Sequence, residues 1–478
     1  MSLRLPKLAA IIASLTATAF ILTGCSGANY PAAKAITTAD VGVQMNMWPY
    51  ESLGAECATL GQHGYDWVLV SPPDEDIMGS EWWAHYQPVS YKTDSSLGNR
   101  AQFKSMIGSC KKAGVQVIVD VVINHMTGQR SGGQGFAGTK FDKYEYPGLY
   151  KPEDFHVCPT GVDQIQDYSN VEEIQQCELL GMSDLNTGKA NVRDTIVKYL
   201  RDLRTLGAAG FRVDAAKHIA ASELKQIVDQ LPSDTTFIDE VIGDLPPQSD
   251  YYAFSHVFSF DWVNQMHNIF GSPGLLGGSA DQAYFDLLSP SDKTVTMVSN
   301  HDTERNGGAI TYRWGRNYQL ASIFTLAVPY GKPMMYSSYA FSDTDAGPLV
   351  GPDGYELPAT CIANPGPDHA DYTDGDWVCQ HRWAGIVGAI AFHKAVGKAP
   401  FTNIWQEGDG YGFGRGKLGY VVFNPSMADL TATIQTSMPA GNYVDRISGT
   451  AVTVEADGRM TVKIPSWGAL AIDVKSKG

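Results

Sequence analysis

The stretch Gly210-Phe211-Arg212-Val213-Asp214-Ala215-Ala216-Lys217-His218 reads as a short buried strand that runs into a cluster of charges. Alternate residues of a strand share a face, so Arg212 and Asp214 point into the same space. A buried ion without a partner is costly, which makes such a pair either a structural ion pair or the tip of a strand-end active site. The residues around it decide between the two.

A βα rhythm surrounds this strand. Val41–Met47, Trp67–Val70 and Val115–Ile123 have strand character, separated by helical patterns at Ser52–His63 and Asn99–Ala113. The rhythm breaks from His125 to Asn186, a Gly-, Pro-, Tyr- and Asp-rich stretch too long for a simple loop and expected as an inserted domain over residues 126–186. It resumes with helices at Lys189–Leu206 and near Ser222–Gln230, and strands at Phe237–Glu240, Val257–Phe260, Thr294–Ser299 and Pro333–Ser337. Eight strands with helices between them predict a closed (β/α)8 barrel over residues 40–125 and 187–398, ending in a helix at Gly385–Val396. From Ala399 on, short β-prone runs at Val421–Asn424, Asp429–Thr436, Gly449–Glu455, Met460–Ile464 and Ala469–Val474 predict a C-terminal antiparallel β-sandwich, residues 399–478.

Of the 478 residues, 44% are apolar, as in an ordinary globular protein, and the formal net charge of −16 argues against nucleic acid or anionic lipid as a partner. Arg4 and Lys7 precede an apolar run, Leu8–Leu22, of signal-peptide length, and Leu22-Thr23-Gly24-Cys25 resembles a bacterial lipobox. The expectation is a lipoprotein signal over residues 1–24, a surface anchor through Cys25 and a small-residue linker over residues 25–39; plain secretion with cleavage near Ala33-Lys34-Ala35 is the alternative. The other six cysteines suit disulfides in an exported chain, and no Cys-x-x-Cys pair points to zinc. Local spacing favours Cys158–Cys177 and Cys361–Cys379, which leaves Cys57 for Cys110.

In such a barrel the active site lies at the C-terminal ends of the strands. Here those ends carry Asp120-Val121-Val122-Ile123-Asn124-His125, Arg212 with Asp214, Ile238-Asp239-Glu240, and Ser299-Asn300-His301-Asp302. Asp214, Glu240 and Asp302 gathered on one rim would repel one another, a cost that function explains better than structure. A carboxylate pair, one ionised and one protonated, is the equipment for cleaving a glycosidic bond. Arg212 is expected to keep Asp214 ionised, while Glu240, with no cation adjacent in sequence, is expected to hold its proton.

These four segments, in this order and at this spacing, resemble the signature regions of the α-amylase family of glycoside hydrolases. Val70-Ser71-Pro72-Pro73, Trp82-Trp83, Tyr86-Gln87-Pro88 and Gly375-Asp376-Trp377-Val378-Cys379 are similar to the animal-type subgroup that also occurs in actinobacteria. The resemblance covers the chain from about Val41 onward. It implies a monomeric, retaining endo-hydrolase of α-1,4-glucans, with Asp214 as nucleophile, Glu240 as acid and base, and Asp302 as transition-state stabiliser. It implies sugar contacts from His125, Arg212 (through Asp214), Lys217, His218 and His301, stacking on Trp82 and Trp83, and a cleft lined by Tyr86, Gln87, Tyr168 and Ile242. It also implies a structural calcium held by the side chains of Asn124 and Asp184 and the carbonyls of Gln175 and His218. An activating chloride is not expected: Arg212 and Asn300 match its ligands, but Met334 stands where a second basic residue belongs. The loop Asp302–Gly308 is shorter than the family's glycine-rich loop. Alternatives are a related transglycosylase or α-glucosidase, or an inactive maltodextrin-binding surface lipoprotein.

Overall fold

The computed structural model describes residues 30–129, 131–271, 285–286 and 288–478. Eight parallel strands close into a barrel: β1 (Gly42–Met45), β2 (Trp67–Val70), β3 (Gln116–Val121), β4 (Gly210–Val213), β5 (Thr236–Asp239), β6 (His256–Phe258), β7 (Thr294–Met297) and β8 (Lys332–Ser337). Each pairs with its sequence neighbours, and β8 closes on β1. Among the described residues the helices are α1 (Tyr50–Gln62), α2 (Arg100–Lys112), α3 (Val171–Gln176, in the insertion), α4 (Ala190–Leu206), α5 (Ala221–Val228), α6 (Phe260–Phe270), α7 (Arg316–Ala327) and α8 (Ala384–Val396). The signal segment and Cys25 lie outside the described residues.

Inward residues sort into layers. The floor of the barrel is apolar: Trp67, Leu69, Ile118, Ile238, Phe258, Val295, Met297 and Met334 form one buried cluster. Trp67 fills so much of it that a Cβ on Gly42 would sit 2.2 Å from the indole ring, so β1 passes only as glycine. The expected linker is a correction over residues 30–39. Ile36 is part of the floor cluster, Ala33 N donates to Asp234 Oδ2 at 2.9 Å, and the Lys34 backbone exchanges hydrogen bonds of 2.6 and 2.9 Å with the Gln116 amide. Small side chains let this stretch lie flat on the barrel, and Ile36 supplies the apolar plug.

Between β2 and α2 lies a three-stranded sheet (Asp74–Asp76, Pro88–Ser95, Gly98–Asn99) that the sequence did not announce, because its first strand is acidic and follows two prolines. The insertion after β3 holds a two-stranded hairpin (Gly133–Gln134, Lys140–Phe141) and α3, and packs Phe141, Tyr146, Tyr150 and Phe155 together. Disulfides join Cys57–Cys110, Cys158–Cys177 and Cys361–Cys379, the pairing that spacing favoured. The first fastens α1 to α2.

The C-terminal region is two four-stranded antiparallel sheets built from β9 (Phe401–Glu407), β10 (Gly410–Arg415), β11 (Gly419–Asn424), β12 (Leu430–Gln435), β13 (Gly441–Val444), β14 (Ala451–Val454), β15 (Arg459–Ile464) and β16 (Gly468–Asp473). Their orders are β9-β10-β11-β16 and β12-β15-β14-β13. The first sheet packs on the barrel: Phe413 and Phe423 meet Phe324 of α7 with ring centroids 6.3 and 5.6 Å away. At this seam Arg415, fully buried, donates to the carbonyls of Ala399 (2.7 Å), Gly397 (2.6 Å) and Ala327. Two of these carbonyls lie at the C-terminal ends of α7 and α8, where the helix dipole favours a cation. Burial lowers the Arg415 pKa to about 10, which leaves it charged at neutral pH.

Replacing Arg415 by Met should therefore strand three buried carbonyls. We expect a stability loss of about 3 kcal/mol or more, since a charge-assisted hydrogen bond contributes roughly 1.5–3 kcal/mol. Denaturant unfolding measures it; an unchanged midpoint would show that the seam does not rely on this cation.

Candidate active site

Strand alternation and register bring the charges together. Asp120 of β3 and Ile238 of β5 both pair with Arg212 of β4, and Glu240 lies two residues beyond Ile238 on the same inward face. Arg212 is 1% exposed. Its Nη1 lies 2.8 Å from both Asp120 oxygens and 2.8 Å from Asp214 Oδ1, and its Nη2 lies 2.9 Å from Glu240 Oε1. Glu240 Oε2 accepts a further hydrogen bond, 2.9 Å, from the backbone N–H of Ala215. Ala215 takes φ +50°, a left-handed conformation unusual for a residue with a side chain, and this turn sets Asp214 and Lys217 toward the cleft.

Asp302 completes the group from the end of β7. Asn300 Nδ2 donates to its Oδ2 at 3.4 Å, and His301 Nε2 lies 3.5 Å from the same oxygen. His301 stacks on Tyr86 with centroids 5.0 Å apart, and its Nδ1 lies 2.9 Å from Gln44 Nε2. With Gln44 donating, the ring proton sits on Nε2, facing Asp302. Burial and the charges of Arg212 and Arg305 hold the His301 pKa well below its usual value, so the ring is neutral.

One guanidinium cannot neutralise four carboxylates. Burial, only partly offset by Arg212, raises Asp120 to about 6. Burial and the charge of Glu240 raise Asp302 to about 7. Asp214 is raised well above the usual carboxylate range by burial, with Glu240, Asp120 and Asp302 adding to it against Arg212. Two expectations are thereby corrected. Arg212 does not reserve its charge for Asp214, because Asp120 and Glu240 share it. Glu240, without a cation adjacent in sequence, has one on the neighbouring strand.

These groups lie at the bottom of a 630 Å³ cleft. Trp82, Trp83, Tyr86, Gln87, His125, Tyr168, Lys217, His218, Ile242 and His301 all line it with Asp214, Glu240 and Asp302; Arg212 lies behind the carboxylates. Lys217 Nζ donates to the Ile242 carbonyl at 2.8 Å and stands 5.7 Å from the Tyr168 ring. His125 is engaged on both ring nitrogens, Nε2 with the Tyr86 carbonyl at 3.0 Å and Nδ1 with Asn124 Nδ2 at 3.3 Å, so neither ring nitrogen points free into the cleft. Of the segment Asp302–Gly308, only Asp302 lines the cleft. Sequence reasoning missed Ile77, Leu180 and Met182 in the lining, for which no local pattern gives a signal. It also left out Asp120 as the partner of Arg212, although its inward register was readable.

The four expected calcium ligands come from segments that meet in two pairs. Leu185 N donates to the Asn124 carbonyl at 2.9 Å, beside Asp184. His218 Nδ1 binds the Ile174 carbonyl at 2.8 Å, beside Gln175. Asp184 is buried, is raised to about 7 by burial, and has His156 Nδ1 2.6 Å from its Oδ2, a partner the sequence did not suggest. Among the described residues no group of three or more His, Cys, Asp or Glu side chains is placed to hold a metal; this set is an amide, a carboxylate and two carbonyls. Met334, at the position in question for chloride, lies in the apolar floor.

Carboxylates gathered over an aromatic-lined cleft at the C-terminal mouth of a parallel barrel are the equipment of a glycoside hydrolase. Residues 82–268 match the α-amylase catalytic domain and residues 405–475 the α-amylase C-terminal all-β domain. The chain is 41% identical to an α-amylase of Streptomyces violaceus over 446 residues, 92% of this chain and 74% of that one. It is 35% identical to an α-amylase-related protein of Drosophila varians over 477 residues, 91% and 93% of the two chains. The structure superposes on α-amylase I of Eisenia fetida, a mutant solved with maltohexaose, with a TM-score of 0.84 and 29% identity over 93% of this chain and 99% of that one. The chain belongs to the α-amylase family.

Asp120 and Asp302 keep protons in the folded state that the unfolded chain loses near about pH 4. Their contribution to stability is thus complete below that pH and is lost as pH rises through about 6 to about 7. Asp302→Asn removes one such group, so the melting temperature of the variant relative to the native protein should rise by at least about 1 °C between about pH 4.5 and 7.5. A pH-independent difference would contradict the protonation scheme.

Proposed function

We propose that the protein is a retaining α-amylase that cleaves internal α-1,4-glucosidic bonds of starch, glycogen and maltooligosaccharides, with Asp214, Glu240 and Asp302 in the catalytic roles. The observation that carries this is Arg212 holding Asp214 and Glu240 on its two Nη atoms at the base of the aromatic-lined cleft, with Asp302 beside them.

Asp214, ionised, attacks the anomeric carbon while Glu240 gives its proton to the leaving glycosidic oxygen. The C–O bond breaks and a glycosyl ester of Asp214 forms. Glu240, now a carboxylate, takes a proton from water, whose oxygen displaces Asp214 and restores the starting charges. The reaction requires the charge on Asp214 and the proton on Glu240; Arg212, 2.8 Å from Asp214 Oδ1, favours that charge against the burial that opposes it. Asp302 and the Nε2–H of His301 face the sugar that carries the developing positive charge and its hydroxyls. Trp82 and Trp83 supply apolar faces for glucose rings, and Lys217 and His218 line the cleft beyond Asp214.

Asp214→Asn should lower kcat by about three orders of magnitude or more, at least about 4 kcal/mol of barrier, while the melting curve keeps its shape. The assay is a blocked maltoheptaoside with products resolved by chain length. Internal cleavage by the native protein supports the amylase, longer products a transglycosylase, and binding without products an inactive receptor; near-native turnover by Asp214→Asn would overturn the assignment of the nucleophile.

A structural calcium fits Asn124, Gln175, Asp184 and His218. These are hard oxygen donors, and among the described residues the buried Asp184 carboxylate has His156 as its charge partner. The ion would neutralise Asp184 and fasten the insertion to the barrel. Activity independent of chloride is supported by Met334, an apolar side chain in an apolar layer. Exhaustive chelation should lower the melting temperature, with recovery on adding calcium. Added chloride should leave the rate of the dialysed enzyme unchanged. A melting curve indifferent to verified metal removal, or a large chloride activation, would refute the respective part.

A further inference from the structure

The wall of the cleft that carries Trp82 and Trp83 is built from segments with little core of their own. A five-residue 3-10 turn, Trp82–Tyr86, presents Trp82, Trp83 and Tyr86 to the cleft and sends His85 in the opposite direction, where it is 5% exposed. His85 Nδ1 lies 2.7 Å from Asp76 Oδ2, and its Nε2 lies 3.2 Å from Glu356 Oε1 and 3.0 Å from Ser96 Oγ. Each partner belongs to a different part of the wall. Asp76 precedes Ile77, which lines the cleft and whose N–H bonds the Gln87 carbonyl at 3.2 Å. Glu356 sits in a turn-back in which Val350 bridges Glu356, and its N–H bonds the Ser96 carbonyl at 3.0 Å.

Nδ1 faces the Asp76 carboxylate and Nε2 faces both the Ser96 hydroxyl and Glu356, so a proton on each nitrogen turns positive charge toward both acids. Burial opposes the charge, but Asp76 and Glu356 outweigh it and push the His85 pKa up to about 10. Asp74, also buried, has its own pKa raised well above the usual range by burial and by Asp76, which favours its neutral form and leaves Asp76 and Glu356 as the acids that face His85.

We infer that His85 is a positioning residue of the glucan cleft: a buried imidazole that ties the Asp74–Asp76 strand, the Trp82–Tyr86 turn and the Glu356 segment into one rigid wall and so fixes the stacking platform for the sugar chain. The inference rests on Trp82 stacking substrate, as proposed above. His85 contacts no substrate and takes no part in bond cleavage. Its removal acts on how well the chain is held, which raises KM and leaves kcat near native.

A double-mutant cycle on the full-length enzyme tests this, with maltoheptaoside as substrate. His85→Gln should raise KM about tenfold with kcat changed by less than about threefold. His85→Arg, which keeps a cation with donors for both carboxylates, should recover most of the loss and guards against a variant that fails to fold. In the Trp82→Ala background, His85→Gln should raise KM by less than about twofold, because the platform it positions is gone. An equal KM effect in both backgrounds, or a loss confined to kcat, would overturn the positioning role. If Trp82→Ala alone leaves KM unchanged, the stacking assignment fails first, and the inference fails with it.

Discussion

The structure depends on one buried cation. Arg212 sits at the centre of the barrel with Asp120 on one side, Glu240 on the other and Asp214 ahead of it. Nothing flexible holds this arrangement: the registers of β3, β4 and β5 fix which residues are level, and the apolar floor beneath leaves the charges no water from below. A guanidinium shared this way cannot satisfy every carboxylate, so protons stay in the cluster. That surplus is what a two-carboxylate reaction requires, and it is fixed before substrate arrives, when orientation costs nothing at the moment of reaction.

Such a centre weakens the fold that carries it, and stability is drawn from other places. Trp67 and its neighbours pack the floor, the Cys57–Cys110 disulfide fastens α1 to α2, and the C-terminal sheet covers α7 and α8. Arg415 contrasts with Arg212. Both are buried guanidiniums, but Arg415 meets carbonyls at helix ends, partial charges that cannot titrate. The cation at the seam keeps its partners at any pH in the working range; the cation at the active site has partners whose charge changes.

All eight barrel strands were legible because each is a short apolar run between helical patterns, and the chemistry was legible because it sits at strand ends, where alternation predicts direction. Three sandwich strands were not. Gly410, Gly412 and Gly414 give β10 the look of a loop, yet a Cβ at Gly414 would lie 2.5 Å from Thr402 Oγ1, so glycine is what the close approach of β9 requires. The acidic strand Asp74–Asp76 was invisible for a similar reason: its buried acids are partnered by residues distant in sequence, Asp74 by Tyr199, Glu75 by Ser90 and Thr139, and Asp76 by His85. Residue types announced the carboxylate trio, but not how Arg212 divides its charge among Asp120, Asp214 and Glu240, since that is set by pairing between strands.

The cleft wall shows why loops can carry function on this fold. The Trp82–Tyr86 turn has no continuous sheet or helix to define it; it is held from behind by His85 and from the side by Arg305. Arg305 lies 5.3 Å from the Trp82 ring and 3.9 Å from the Phe341 ring, and donates to the carbonyls of Thr344 and Ala346 and to the Tyr339 hydroxyl. Hydrogen bonds and cation–π contacts are directional where apolar packing is not, so Arg305, itself fixed by its carbonyl and hydroxyl partners, holds the angle of an indole that a small hydrophobic patch would leave free to rock. Arg305 stands three residues beyond Asp302. The segment that contributes the third carboxylate therefore also braces the aromatic platform, and the short loop Asp302–Gly308 serves by clamping the protein's own wall.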